Sequence, residues 1–154
     1  TTLFRSQRII VEILHHIHQW SRGKKCKPVT APFDVTLFKD GAENIVQPDI
    51  LVVCDPENID DQGRYTGIPI LVVEVLSETT RHKDMLKKLH VYMAGGVGEY
   101  WIVNPINQEL YIYSFASGEI RDYRVFKGAE TAGSDVLEKL EVPLEQVFPA
   151  GGAE

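Results

Sequence analysis

A glutamate stands inside ILVVEVLS, residues 70 to 77, where every other residue from Leu71 to Leu76 is aliphatic. A run that is apolar on both faces predicts a central strand covered on each side, and it leaves Glu74 little access to water. Burying an ionised carboxylate costs roughly several kcal/mol unless a cation or hydrogen-bond donors compensate it. Upstream, VQPDILVVC predicts another strand, and the polar, turn-rich DPENIDDQGRYTGIP joins the two. Antiparallel pairing about a centre near Asp61 and Gln62 brings Asp49 and Glu74 opposite one another. Like charges facing each other destabilise a dry sheet, whereas a hard divalent cation turns both carboxylates into oxygen ligands. A second reading stands beside this one: Asp49 caps a strand start after Pro48, and Glu74 is half of a buried salt bridge.

The segment after Glu74 offers a cation. The spacing predicts a helix from about Thr79 to Ala94, with Met85, Leu86, Leu89, Tyr92 and Met93 as its apolar stripe, Ser77 or Thr79 as cap and Gly95-Gly96 as stop. At about 100° per residue, Arg81, Lys88 and Tyr92 fall along one edge of the apolar face. Lys88 is thereby placed at a core boundary within reach of a carboxylate site, while Lys83 and Lys87 turn toward solvent. Asp84 and Lys88 also stand four residues apart in the favourable order, so a surface ion pair is the plainer use of Lys88.

The remaining elements must hold this pair of segments. Ser6 to Trp20 carries Ile9, Ile10, Ile13, Leu14 and Ile17 at helical spacing, and FDVTLF, residues 33 to 38, alternates like a strand closed by Lys39-Asp40-Gly41. Three strands are thus expected before the second helix. EYWIVN follows it, LYIYSF and EIRDYRVF form a hairpin about Ser117-Gly118, and Pro143 to Phe148 closes the chain as a short helix. The order predicts one α/β domain over residues 1–154, a mixed sheet flanked by helices with an added β-hairpin.

Composition is consistent with that size of core: 154 residues, 44% hydrophobic and 25% charged, with no apolar span long enough for a membrane helix and no signal peptide. Cys26 and Cys54 lie outside any metal-binding spacing and read as reduced thiols of a cytoplasmic protein. A net charge of -6 argues against a general polyanion binder but leaves room for a local basic site beside a metal.

QPDILVVC, VVEVLSETT, DMLKK with Tyr92, and GGVGEYWIVNP, in this order and spacing, resemble the Uma family of restriction-endonuclease-like proteins within the PD-(D/E)XK nuclease superfamily. The resemblance runs from about Asp34 to Pro105. It implies an α-β-β-β-α-β core and a metal-dependent endonuclease hydrolysing DNA phosphodiester bonds, with a Mg²⁺ or Mn²⁺ ion held by Asp49, Glu74 and the main-chain carbonyl of Val75. The superfamily pattern places lysine two residues after the glutamate, where this chain has Leu76; the resembling family implies a lysine displaced to the next helix, matching Lys88. Relatives also carry a further segment ahead of the first helix, so the resemblance implies that the chain lacks an N-terminal piece. The alternative function is a non-catalytic nuclease-fold protein that binds a nucleic acid or a protein partner.

Other signals carry less. Glu12 on the first helix is either an added metal ligand or, the plainer reading, a solvated glutamate. His15, His16 and His18 point to different sides of that helix and do not converge on a zinc site. Ser77 lacks a GxSxG setting and a His/Asp partner set. Tyr100, Trp101, Tyr111, Tyr113 and Phe115 put aromatics on both faces of their strands, which predicts a homodimer with part of this surface covered by a second copy.

Overall fold

In the computed structural model, which describes residues 2–80 and 82–148, the N-terminal periodicity becomes α1 (Thr2–Ser21), with Ile9, Ile13 and Ile17 buried along one face. The chain then forms β1 (Lys27–Thr30), leaves as a hairpin of β2 (Val35–Lys39) and β3 (Ala42–Val46), returns as β4 (Ile50–Val53) and reaches β5 (Leu71–Val75). Next come α2 (His82–Gly95), β6 (Glu99–Asn104), β7 (Glu109–Ala116) and β8 (Glu119–Lys127). A small pair, β9 (Thr131–Gly133) and β10 (Glu141–Pro143), and α3 (Leu144–Val147) complete it.

The six-stranded sheet runs β1-β4-β5-β6-β7-β8, with β5 and β6 parallel and joined through α2. Alternate residues of its strands enter two core layers. On one face Ile50, Val52, Leu71, Val73, Trp101, Val103 and Ile112 pack beneath α1 and the β9–β10 arm. On the other Leu51, Val53, Val72, Tyr100 and Ile102 pack beneath α2 and the β2–β3 hairpin. Helices on both sides of a mixed sheet are the expected fold class.

The sheet edge differs from expectation. Residues 33 to 38 supply β2, yet β2 pairs with β3 in a separate two-stranded sheet, with one further parallel bridge from Val35 to Tyr65. The strand beside β4 is instead β1, four residues including Pro28 that show no alternation of their own. Among the described residues five strands, not three, therefore precede α2. The pairing Lys27↔Val53 ends with Cys26 and Cys54 facing each other, and they form a disulfide with Cα atoms 4.0 Å apart. This corrects the reading of two reduced thiols, and the compartment no longer follows from the cysteines. Among the described residues no helix is long and apolar enough to cross a membrane.

The second helix begins at His82, later than Thr79. Ser77, Thr79 and Thr80 instead make a turn of their own: Ser77 N–H donates to Thr80 Oγ1 at 3.0 Å, and the Thr80 N–H donates to the Ser77 carbonyl at 3.1 Å. Arg81 lies outside the described residues. The helix ends where expected, with Gly96 at φ +91, a conformation that favours glycine.

Candidate active site

The β4–β5 register is Ile50↔Val73, Leu51↔Val72 and Val52↔Leu71. One more step places Asp49 against Glu74, as the symmetry of the loop predicts. Both carboxylates share the α2 face with Leu51 and Val72. Asp49 Oδ2 accepts a 2.7 Å hydrogen bond from the Val75 N–H, which ties the half-buried carboxylate to the neighbouring strand.

Glu74 is only 7% exposed and meets two donors from α2. Lys88 Nζ donates to Oε1 at 2.5 Å and the Tyr92 hydroxyl donates to Oε2 at 2.8 Å. Lys88 and Tyr92 stand four residues apart, so one helix face delivers both. Lys88 thus pairs with Glu74 and not with Asp84, the partner that sequence spacing offered. Lys87, expected to turn away, is exposed but also lines the cleft.

Burial pushes the carboxyls of both Asp49 and Glu74 above their ordinary range; for Asp49 the Val75 N–H and Lys88 pull back, and for Glu74 Lys88 and Tyr92 do so. The negative charge of Asp49 also raises Glu74. Burial and the nearby Glu74 carboxylate raise the Tyr92 and Tyr100 hydroxyls as well, so both remain protonated.

The same sheet holds a second buried acid in a different setting. Glu99 is fully buried on the opposite face, and it accepts from Trp101 Nε1 at 3.1 Å, Ser134 Oγ at 2.8 Å and the Asp135 N–H at 2.7 Å, with Arg124 3.6 Å away. Those bonds pin the β9–β10 arm to the sheet, a structural use of a buried acid. Glu74 instead opens on a cavity of about 470 Å³ lined among others by Asn44, Thr80, Lys87, Lys88 and Tyr100. Glu74 and Lys88 thus face open space, where Glu99 meets only packed protein.

The donor set fits a hard divalent cation: two carboxylates on adjacent strands, both held above their usual range by burial, with the Val75 peptide beside them. Among the described residues no group of three or more His, Cys, Asp or Glu gathers to hold a metal. Protein ligation by side chains would therefore rest on Asp49 and Glu74. Glu12 does not join them; it lies on α1, beneath the other face, and pairs with Arg8 at 3.3 Å. The α1 histidines form no such group either, although the His15 and His16 rings touch edge to face. Tyr100 and Trp101, 1% and 0% exposed, fill the two core layers, so their opposite orientation needs no second copy. Spacing put Tyr92 beside Lys88 on one edge of the helix, but it marked neither the Tyr92 hydroxyl as a donor to Glu74 nor Tyr100 as a residue of the cleft.

The sequence pattern that defines the Uma2 family, described as "Putative restriction endonuclease", matches residues 1–145. The fold is shared with a crystal structure described as a putative nuclease belonging to DUF820 from Anabaena variabilis, at a TM-score of 0.75 and 16% identity, covering 94% of this chain and 80% of that one. Shorter similarity links 52% of this chain to the carbamoyl phosphate synthase large chains of Gemmatimonas aurantiaca and Mycobacterium tuberculosis, at 30% and 29% identity over 87 residues. The chain spans only 8% and 7% of the length of those curated relatives.

Proposed function

Because the chain belongs to the Uma2 family, we propose that its cleft hydrolyses DNA phosphodiester bonds with Mg²⁺ or Mn²⁺ held by Asp49, Glu74 and the Val75 carbonyl. The observation that carries this reading is that Glu74, in register with Asp49 and bonded by Lys88 and Tyr92, opens together with Lys88 on the cleft. When bound, the ion supplies Lewis acidity to a phosphate oxygen and lowers the pKa of a coordinated water. The chain's own residues do the rest. Asp49 and Glu74 provide fixed negative charge that selects a cation. Lys88, 45% exposed at its side chain, keeps a charged head at the cleft and turns it toward the negative charge that develops on the phosphoryl group. Tyr92 holds the Glu74 carboxylate in orientation through Oε2, while Lys88 meets Oε1.

Two measurements test the reading together. Calorimetric titration with Mn²⁺ is expected to show binding by the wild type and not by Asp49→Ala, and plasmid DNA is expected to be nicked or linearised only when the ion is present. Equal Mn²⁺ binding by both proteins removes the metal site. Binding without cleavage of any DNA favours a nuclease-fold protein that binds its partner without turnover.

A further inference from the structure

Cys26 stands in the run Lys24-Lys25-Cys26-Lys27. The disulfide it forms with Cys54 lies just beyond the Lys27↔Val53 pair, and both cysteines are only partly buried. Cys26, but not Cys54, lines a surface cavity of about 470 Å³ together with Trp20, Lys24, Leu137, Glu138 and Lys139. Lys25 pairs with Glu57 at 3.8 Å. Lys24 and Lys27 donate only to the carbonyls of Trp20 and Ser21, at 2.8 and 3.0 Å, so their charges stay uncompensated. Positive charge therefore gathers at Cys26 on a chain whose net charge is -6. An accessible disulfide sulfur in such surroundings favours attack by an anionic thiolate, and the same ammonium groups stabilise a Cys26 thiolate once it forms. The strand that this disulfide anchors leads to the cleft. β1 is a four-residue sheet edge that includes Pro28, which has no N–H to give. Beyond its far end the Ala31 N–H donates to the Asp49 carbonyl at 3.2 Å, and the Asp49 carboxylate accepts from Val75.

We propose that the cavity at Cys26 is a thiol-exchange site for a small anionic thiol, and that reduction of Cys26–Cys54 there releases β1 and with it the backbone support of Asp49. The incoming thiolate attacks Cys26 Sγ, the S–S bond breaks, and Cys54 leaves as a thiolate that takes a proton from water. A second thiolate then attacks the reagent's own sulfur in the mixed disulfide, and Cys26 leaves as a thiolate beside the lysines. Two thiols are thereby oxidised to one disulfide, and the cysteine pair takes up two electrons and two protons. Reduction leaves β1 held by a four-residue ladder in which one residue lacks a donor. This inference is independent of the nuclease reading, because both the exchange and the placement of Asp49 are measured without metal or DNA.

Reduced glutathione is the anionic probe, and cysteamine, a cationic thiol, is its comparison. After brief exposure and acid quench, peptide mapping is expected to find the mixed disulfide on Cys26, formed faster by glutathione than by cysteamine at equal thiolate concentration. An adduct on Cys54 alone, no adduct, or equal rates for the two reagents overturns the exchange site. Full reduction with dithiothreitol opens a loop closed across 28 residues, so the melting temperature should fall by roughly 5–15 °C. Hydrogen exchange then reads the release of β1. The Ala31 and Val75 amides should lose protection while those of β6 keep theirs. Unchanged protection at Ala31 and Val75 overturns the proposal, and so does equal loss across β6, which marks global unfolding. The double variant Cys26→Ser/Cys54→Ser should match the reduced wild type; if it does not fold, the reduced wild type decides alone.

Discussion

Glu74 is a buried acid with a cation for a neighbour, and the two halves of that pair respond differently to removal. Glu74→Gln keeps the shape and removes the charge that burial disfavours. The metal-free variant is expected to melt at or above the wild-type temperature while losing Mn²⁺ binding and cleavage. A fall in melting temperature would instead assign Glu74 to the structural ion pair. Lys88→Ala takes away the partner and leaves the carboxylate behind. Because the ammonium side is 45% exposed, the expected loss is about 1–2 kcal/mol, short of the roughly 3–5 kcal/mol for fully buried pairs. Thermal unfolding measures it, and the double variant Lys88→Ala/Glu74→Gln should recover most of it. In metal-dependent cleavage, Lys88→Ala is expected to lose roughly 10²–10³-fold, the worth of one preorganised donor in a transition state. Lys83→Ala is the better control than Lys87→Ala, because Lys87 lines the cleft. Equal cleavage rates for the Lys88 and Lys83 variants would remove Lys88 from the chemistry.

At the scale of elements, the site depends on how β5 meets β6 and α2. The two parallel strands run Leu71↔Glu99 to Val75↔Val103, and their start is a close backbone approach. Glu99 N–H donates to the Ile70 carbonyl at 3.0 Å, and a Cβ on Gly98 would stand 2.6 Å from that same oxygen. Gly98→Ala must therefore push the strands apart, at an expected cost of about 1–3 kcal/mol. Denaturant unfolding checks this. An unchanged midpoint would mean that the β5–β6 entry yields without cost. The β2–β3 hairpin leans on the far end of α2, where Gly95 meets Leu37, and it lends Asn44, Ile45 and Val46 to the cleft wall. One helix thus ties the hairpin to the carboxylate strands.

For the whole molecule, the two raised carboxyls predict a pH dependence. A carboxyl whose folded value lies above its unfolded one favours folding while protonated. That contribution is full below the ordinary values of 3.8 for Asp49 and 4.5 for Glu74, and it is lost as pH rises through the raised folded values. Metal-free protein should therefore lose this part of its stability as pH rises through those values, and Mn²⁺ should then add stability, since ligand binding favours the folded state. Melting curves across pH with and without Mn²⁺ test it against Asp49→Ala, which should lose the Mn²⁺ response and keep only the Glu74 part of the pH response. A wild-type profile identical to that of Asp49→Ala would detach stability from this pair.

Local periodicity by itself determined much of this molecule. The apolar runs at residues 70 to 76 and 49 to 54 read as strands, and the centring of the loop between them predicted the facing of Asp49 and Glu74 that the register gives. The apolar stripe of α2 placed Lys88 at the edge of its buried face for the same reason: side-chain direction follows residue spacing. Tertiary structure decided which neighbours those directions reached. Lys88 had Asp84 within its own helix and took Glu74 across the sheet; Tyr92 looked like core packing and became a donor. Cys26 and Cys54 became opposed only because β1, too short and proline-bearing to announce itself, paired with β4 in place of the clearer strand β2. Sheet order and cross-sheet contacts join residues remote in sequence, and no periodicity within one segment encodes which remote segment it will meet.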